Sequence, residues 1–152
     1  MPRHIHTRHR YEIPLLNMTF LSHPAKVTKV MAHISAIAKR HRFGGDLTSN
    51  LQIASAEAIN NISEHGYRGS ELGRIGLSVA RTPRHINVYL QDFGRPMPAG
   101  LLQNVMLPGF GENGGDLPEG GFGLYLIQTV TSAFQYRRRA ASNEWTLSFR
   151  RY

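Results

Sequence analysis

The sequence contains no cysteine, which excludes disulfide bonds, thiolate zinc sites and a cysteine nucleophile. Acidic residues are also few, since 10 Asp and Glu stand against 18 Lys and Arg and leave a formal net charge of +8. A basic chain attracts polyanions such as nucleotides, nucleic acid or an acidic partner. The positive charge is spread along the chain, however, and its only dense run is Arg137–Arg139. This pattern favours a solvated basic surface over a nucleic-acid interface.

Long apolar runs are missing as well. No stretch approaches the roughly 20 apolar residues that a membrane helix requires. Residues 1–10 are basic and polar but do not lead into the apolar segment of a signal peptide. With 152 residues, 41% of them hydrophobic, the chain has the size and composition of one globular domain. We expect a flexible basic arm at 1–10, a single domain at 11–152 and, in line with the missing cysteine, a cytoplasmic location.

Hydrophobic periodicity predicts the order of helices and strands. An extended segment over 11–21 is followed by two helices, whose apolar residues recur at helical spacing over 27–38 and 47–62. Period-two alternation predicts a hairpin over 75–90. A third helix carries an apolar face, and a second hairpin closes the chain. That helical face comprises Leu124, Ile127, Val130 and Phe134, and the second hairpin has Trp145, Leu147 and Phe149 on its buried side and Ala140–Asn143 as its turn.

The strands therefore come in hairpins, which is typical of antiparallel sheets. We expect an α+β fold in which three helices cover one face of a mixed, mostly antiparallel sheet. Between the hairpins, residues 93–123 hold nine of the 15 glycines and four of the eight prolines. Irregular stretches of this length are usually functional or disordered, so we expect a lid over about 93–121.

Three polar residues of the second helix share one side. Glu57, Asn61 and His65 are spaced four residues apart, which aligns them along a helix. A carboxylate and a carboxamide one turn apart suit Mg²⁺, which prefers oxygen ligands and keeps several waters. The alternative is an ordinary polar helix face, on which Asn60 and Glu64 are equal candidates.

Asp92 is in phase with Ile86, Val88 and Leu90, which puts it on the buried side of its strand. A carboxylate is rarely buried without a partner, so an inward acid at a strand end can accept a hydrogen bond from a ligand amino group. The alternatives are an aspartate that begins a turn and a strand end that frays into solvent.

The segment Leu117–Leu124 is rich in glycine and runs into the third helix. Glycines let backbone N–H groups approach phosphates, and a helix N-terminus favours anions. The alternative is a flexible connector. Gly109–Gly114 matches G-x-G-x-x-G but follows no strand and opens no helix, and no P-loop sequence occurs. His4, His6 and His9 form a poor metal site because the arm that carries them has no carboxylate nearby.

These three segments together resemble one known family. Ala54–Tyr67 resembles the N-box of anti-sigma factor serine kinases, Asp92–Pro96 is similar to their D-x-G box, and Leu117–Ile127, LPEGGFGLYLI, is similar to their G-G-x-G-L box. The resemblance covers about residues 12–150, and it extends to the superfamily of gyrase, Hsp90, histidine-kinase and MutL ATPases. Two stretches depart from the family pattern, Arg95–Pro98 and Thr131–Ala133.

The resemblance implies a Bergerat-type ATP-binding fold and a role for each residue. Asn61 would coordinate Mg²⁺, and Glu57 would act as general base toward an attacking hydroxyl. Asp92 would accept a hydrogen bond from the adenine amino group, with Gly94 leaving room for the ring. The remaining residues that the resemblance assigns to ATP, partly through backbone N–H groups at the phosphates, are His65, Gly120, Gly121, Gly123 and Leu124.

The resemblance further implies a kinase that uses Mg²⁺ and ATP to phosphorylate a serine on an anti-anti-sigma, STAS-like protein and so regulates a sigma factor. Such kinases commonly form homodimers, and neither a membrane nor direct nucleic-acid contact is expected. Two other functions stay open. One is a nucleotide-gated module that binds a partner without transferring phosphate, and the other is a basic nucleic-acid-binding domain.

Overall fold

The computed structural model describes residues 11–106 and 122–152. Within them the chain forms one five-stranded sheet, four α-helices and one π-helical turn. In chain order these are β1 (Ile13–Leu21), α1 (Pro24–Arg40), α2 (Gly45–Asn61), the π-helical turn (Ile62–Gly66), β2 (Arg74–Arg81), β3 (His85–Asp92), α3 (Ala99–Met106), α4 (Phe122–Val130), β4 (Ala133–Arg138) and β5 (Asn143–Arg150).

The strand order in the sheet is β1-β2-β3-β5-β4. Every strand pair in the described residues is antiparallel, so the α+β architecture is confirmed, although the sheet is not mixed there. The two hairpins, β2–β3 and β4–β5, lie side by side because β3 pairs with β5. This pairing sets Asp92 opposite Asn143 and Leu90 opposite Trp145.

One face of the sheet carries the apolar residues, and the helices cover that face. Alternation puts the even positions of β3 and the odd positions of β2 and β5 into the core, as the sequence predicts. Helix α2 contacts α1, α4 and β5, and so lies at the centre of the helical layer. The fully buried residues on both sides of the interface include Ile34, Leu51, Ile59, Ile75, Leu77, Leu90, Leu124, Ile127, Trp145 and Leu147.

The first helix, α1, begins at a capped first turn. His23 is the N-cap residue, its Nδ1 accepts from the Ala25 N–H at 3.0 Å, and Pro24 occupies the first turn. Lys39 and Arg40 lie in the last turn, where cations interact favourably with the helix dipole. The predicted apolar stripe is confirmed, since Val30, Ile34 and Ala38 are buried.

The second predicted helix ends in a wider turn. Helix α2 stops at Asn61, and residues Ile62–Gly66 continue it as a π-helix, closed by the Tyr67 N–H bonding to the Ile62 carbonyl at 3.0 Å. Single π-helical turns of this kind are frequent at functional sites. The four-residue spacing that aligned His65 with Glu57 and Asn61 assumed a regular α-helix, so it does not fix where His65 points.

Phe134 was predicted on the third helix, and that assignment is wrong. Helix α4 ends at Val130, and Ser132 already donates its N–H to the Ser148 carbonyl at 2.8 Å. Phe134 lies in β4 and stacks on Trp145, with ring centroids 5.9 Å apart. A residue four positions after Val130 satisfies the helical period and the strand period alike, so spacing alone could not separate them.

Two further boundaries differ from the prediction. Asn143 is the first residue of β5 rather than part of the turn. Residues Ala99–Met106 form helix α3 inside the stretch expected to be irregular, with Leu101 and Leu102 partly buried against the core. Residues 1–10 and 107–121 lie outside the described part, and with them the basic arm, its histidines and most of the proposed lid.

Within the described residues, no helix is both long and apolar enough to span a membrane.

Candidate functional site

The end of α2, the end of β3 and the start of α4 meet at one edge of the helical layer. The closest approach involves Gly123 in the first turn of α4. A Cβ atom at Gly123 would lie 2.6 Å from Oε2 of Glu57 and 3.1 Å from Nδ2 of Asn61. The structure therefore brings together two residues of the first predicted motif and one of the third, and a side chain at position 123 would require Glu57 and Asn61 to shift.

Asn61 and Glu57 differ in environment from their polar neighbours. Asn61 is 5% exposed and Glu57 is partly buried, whereas Asn60 and Glu64 are exposed. The Asn61 Nδ2 donates to the Glu57 carbonyl at 2.8 Å. Among the described residues no hydrogen bond engages the Asn61 Oδ1, which is the atom suited to a metal. Burial thus favours Glu57 and Asn61 over the alternative pair.

His65 lies in the π-helical turn. Its Nε2 is buried and has no hydrogen-bond partner among the described residues. Buried polar atoms nearly always have a partner, so this nitrogen is suited to a ligand group or to a residue outside the described part. The next residue, Gly66, packs against Asp92, because a Cβ there would lie 3.3 Å from the Asp92 Oδ1.

Asp92 is 1% exposed at the end of β3, which confirms its predicted inward direction and contradicts the strand end that frays into solvent. Its Oδ1 accepts from the Gly94 N–H at 3.0 Å and from the Asn143 Nδ2 at 2.7 Å. Its Oδ2 accepts from the Trp145 Nε1 at 3.1 Å. An ionised carboxylate offers about four acceptor sites, so three are in use and one on Oδ2 remains.

Burial raises the pKa of Asp92, and the hydrogen bonds from Asn143, Gly94 and Trp145, together with the nearby Arg138 guanidinium, act against that rise. These donors favour the ionised form. The site therefore holds a desolvated acceptor whose charge is offset by fixed donors.

Gly94 ties the end of β3 to the end of the π-helical turn. A Cβ at Gly94 would lie 2.5 Å from the carbonyl carbon and oxygen of Gly66, so the two backbones are in direct contact. The Arg95 N–H then donates to the Gly66 carbonyl at 2.8 Å. Because these close atoms belong to backbone, a side chain at position 94 would push the two segments apart.

The described part of helix α4 starts at Phe122. The first-turn N–H groups of a helix have no partners within it, and together with the helix dipole they favour anions. The Leu124 side chain is completely buried in the core, which leaves only its backbone for a phosphate. Gly120 and Gly121, predicted for the same role, lie outside the described residues.

Sequence reasoning missed four residues of the β4–β5 hairpin that hold this site. Asn143 and Trp145 bond to Asp92, Arg138 donates to the Gly94 carbonyl at 2.8 Å, and the Tyr136 hydroxyl accepts from the Met97 N–H at 2.8 Å. Asn143 was predicted in a turn, Trp145 on the buried side of the hairpin and Arg138 on a solvated basic surface, and Tyr136 was not assigned a role. A usable signal existed for one of them, since Asn143 is in phase with Trp145, Leu147 and Phe149 and is therefore an inward polar residue.

The arrangement combines a helix with a carboxylate and a carboxamide, a facing helix N-terminus and a buried acceptor beyond a glycine contact. Such a combination offers groups that could contact a metal ion, a phosphate and a ligand amino group. Residues 20–149 match the family described as the histidine kinase-like ATPase domain. The chain belongs to this family, and it is an ATP-binding protein.

Two curated relatives are both named serine-protein kinase RsbW. The protein of Oceanobacillus iheyensis is 28% identical over 116 residues, which cover 76% of this chain and 73% of the relative. That of Halalkalibacterium halodurans is 33% identical over 111 residues, 70% of this chain and 67% of the relative. The solved SiaB–SiaC complex of Pseudomonas aeruginosa contains a chain with the same fold, at a TM-score of 0.67, 14% identity and 90% coverage of both chains.

Proposed function

We propose that this chain is a protein-serine kinase that transfers the γ-phosphoryl group of ATP to a serine of an anti-anti-sigma, STAS-like partner. The observation that carries the proposal is the packing of Gly123 on Glu57 and Asn61, which puts a carboxylate, a carboxamide and a helix N-terminus in one place. The serine-protein kinases among the relatives support the same reaction.

The base of the nucleotide would bind at Asp92. One acceptor site remains on its Oδ2 beside the Trp145 hydrogen bond. This acceptor matches the amino group of adenine and opposes the carbonyl that guanine carries at the same edge. The phosphates would then extend toward the N-terminus of α4, where backbone N–H groups and the helix dipole favour negative charge.

The residues beside the phosphates fit Mg²⁺. Asn61 offers a carboxamide oxygen, and Mg²⁺ in phosphate sites needs only one or two protein oxygens besides phosphate and water. When bound, the ion would neutralise charge on the phosphates. Among the described residues, no group of three or more His, Cys, Asp or Glu side chains is placed to hold a metal ion.

Glu57 would serve as the base. The serine hydroxyl oxygen forms the new bond to the γ-phosphorus, the bond to the bridging oxygen of ADP breaks, and the hydroxyl proton passes to the Glu57 carboxylate. Phosphoryl transfer depends mainly on positioning and charge neutralisation, so a small set of side chains suffices. The partly buried Glu57 lies within one helical turn of Asn61, next to the α4 N-terminus.

The finer parts of the proposal follow from the resemblance. They are control of a sigma factor through the phosphorylated partner, a homodimeric assembly and a cytoplasmic location. The net charge of +8 would favour an acidic face on whichever protein binds.

The experiment is transfer of labelled γ-phosphate from ATP to a purified STAS-domain protein, with Glu57→Gln beside the wild type. Loss of a general base costs typically 10²–10⁴-fold in rate, and ATP affinity should stay unchanged. Glu64→Gln is the matched control, since Glu64 is exposed on the same segment, and it should transfer phosphate at the normal rate. Transfer by Glu57→Gln at the wild-type rate would remove Glu57 as base. ATP binding with no transfer by the wild type to any STAS domain would favour the nucleotide-gated binding module instead.

A further inference from the structure

Asn143 is the most densely bonded side chain of the site, and no predicted motif includes it. It is 1% exposed. Its Nδ2 faces three acceptors, the Asp92 Oδ1 at 2.7 Å and the carbonyls of Arg95 at 3.0 Å and Gly94 at 3.3 Å. One carboxamide thus contacts both the buried Asp92 carboxylate and two backbone carbonyls of the segment that follows β3.

Donors on β4 hold the other end of this carboxamide. The Asn143 Oδ1 accepts from the Tyr136 hydroxyl and from the Arg138 Nη1 at 3.2 Å. Two donors face the oxygen and three acceptors face the nitrogen. Only one of the two amide orientations therefore directs the oxygen at the donors and the NH₂ group at the acceptors. Arg138 also donates to the Gly94 carbonyl at 2.8 Å. The β4–β5 hairpin is therefore hydrogen-bonded to the segment after Asp92 through both Asn143 and Arg138.

The consequence for Asp92 follows from its acceptor count. Asn143 and the Gly94 N–H occupy Oδ1, and Trp145 occupies one site of Oδ2. We propose that Asn143 is a positioning and specificity-determining residue, which holds Asp92 so that a single Oδ2 acceptor faces the nucleotide base and adenine is selected over guanine. This inference rests on the proposed nucleotide site and assigns that site a residue of the β4–β5 hairpin.

Selection depends on the charge state of Asp92. An ionised carboxylate only accepts, so it binds the adenine amino group and repels the guanine carbonyl, whereas a protonated carboxyl can donate to that carbonyl. Burial raises the pKa of Asp92, and the Asn143 hydrogen bond is the first of the effects that lower it. Among the described residues, the other charged and titratable groups that face Asp92 are the Arg138 guanidinium and the phenols of Tyr136 and Tyr67. Burial raises the pKa of each of the two phenols.

The sign of the pH dependence follows. ATP affinity is retained above the pKa of Asp92 and is lost as the pH falls through it. Removing Asn143 raises that pKa, so the loss begins at a higher pH. A hydrogen bond to a charged group corresponds to a shift of roughly one to two pH units.

The test measures the dissociation constants of ATP and GTP between pH 5.5 and 8.5, a range of about three units around neutrality, for the wild type and Asn143→Ala. We expect Asn143→Ala to bind ATP about 10-fold more weakly at neutral pH, to lose affinity about one pH unit earlier and to prefer ATP over GTP less strongly. Asn87→Ala is the matched control, because Asn87 is buried on the opposite face of the same sheet and bonds to Glu12. The dissociation constants of Asn87→Ala for ATP and GTP should equal those of the wild type at every pH.

Asn143→Ser keeps a short donor and should recover part of the affinity and of the pH profile, which a merely structural role would not produce. A second readout needs no nucleotide, namely titration of the Asp92 carboxyl by ¹³C NMR, whose midpoint should rise in Asn143→Ala. If Asn143→Ala does not fold, Asn143→Ser carries both measurements. An unchanged ATP profile together with an unchanged Asp92 midpoint overturns the inference. Failure of the wild type to bind ATP, with the midpoint still raised in the variant, contradicts the proposed function rather than the role of Asn143.

Discussion

Asn60 and Asn61 are neighbours in the chain with opposite environments. Asn61 is buried, bonded to the Glu57 carbonyl and close to Gly123, whereas Asn60 is exposed. The sequence left the two as equal candidates, because the apolar stripe of a helix fixes the direction of a boundary residue only to within about one position. Contact with α4 distinguishes Asn61 from Asn60, and this contact joins Asn61 to Gly123, which lies 62 positions later in the chain.

Asn61→Ala should raise the Mg²⁺ concentration needed for half-maximal phosphoryl transfer by about 10-fold or more, since even supporting groups of a metal site contribute 10- to 100-fold. The measurement is transfer rate against Mg²⁺ concentration at saturating ATP. Asn60→Ala provides the control and should follow the wild-type curve. Identical curves for both variants would mean that Asn61 does not bind the ion.

Asp92 illustrates what residue-level reasoning can reach. Period-two alternation was enough to predict its burial, and the structure confirms it. The same reasoning did not find the donors Asn143 and Trp145, which lie more than 50 positions away. Their proximity depends on which hairpin edges pair, and alternation within one strand carries no information about that.

At the level of elements, the start of α4 decides whether the parts of the site fit together. Gly123 is the point where α4 approaches α2, and a methyl group there would lie 2.6 Å from the Glu57 Oε2. Helix α4 must then move away, or Glu57 and Asn61 must change their rotamers. Either change displaces the groups proposed for the base and for Mg²⁺.

Gly123→Ala should therefore reduce phosphoryl transfer by about 100-fold, a loss typical of small displacements in a catalytic site, and it should weaken ATP binding as well. Gly45→Ala is the matched control, because Gly45 is also helical and no described atom outside its own helix turn lies within 4 Å of its Cβ position. That control should leave both the rate of phosphoryl transfer and the free energy of unfolding close to the wild-type values. Equal rates for Gly123→Ala and the wild type would show that phosphoryl transfer does not depend on the close approach of Gly123 to Glu57.

Element boundaries were the least predictable part of the fold. The apolar period found α1, α2 and both hairpins, yet it extended the third helix to Phe134 and left Ala99–Met106 without a helix. Phe134 satisfies both periods, and its stacking on Trp145 is a tertiary contact that decides between them. In the stretch after Asp92, a high content of glycine and proline hid an eight-residue apolar helix that packs against α4.

At the scale of the whole molecule, the antiparallel order β1-β2-β3-β5-β4 makes the site. Because β5 pairs with β3, Asn143 lies next to Asp92. Because α2 packs against α4, Glu57 and Asn61 lie next to the start of α4. The sequence predicted the layers correctly, since hairpins and amphipathic helices are local patterns. The pairing of one hairpin with the other is a global property, which is why the β4–β5 residues of the site could not be found from local patterns.

Binding of ATP at Asp92 can be measured by thermal unfolding with and without Mg²⁺ and ATP, for the wild type and Asp92→Asn. A ligand at about 100 times its dissociation constant adds about 2.7 kcal/mol of stability, which for a domain of this size raises the midpoint by roughly 5–10 °C. Asp46→Asn, which alters an exposed aspartate in the first turn of α2, serves as the control. We expect ATP to raise the unfolding midpoints of the wild type and Asp46→Asn but to leave the midpoint of Asp92→Asn unchanged. An equal rise in Asp92→Asn, or no rise in the wild type at saturating ATP, would contradict this expectation.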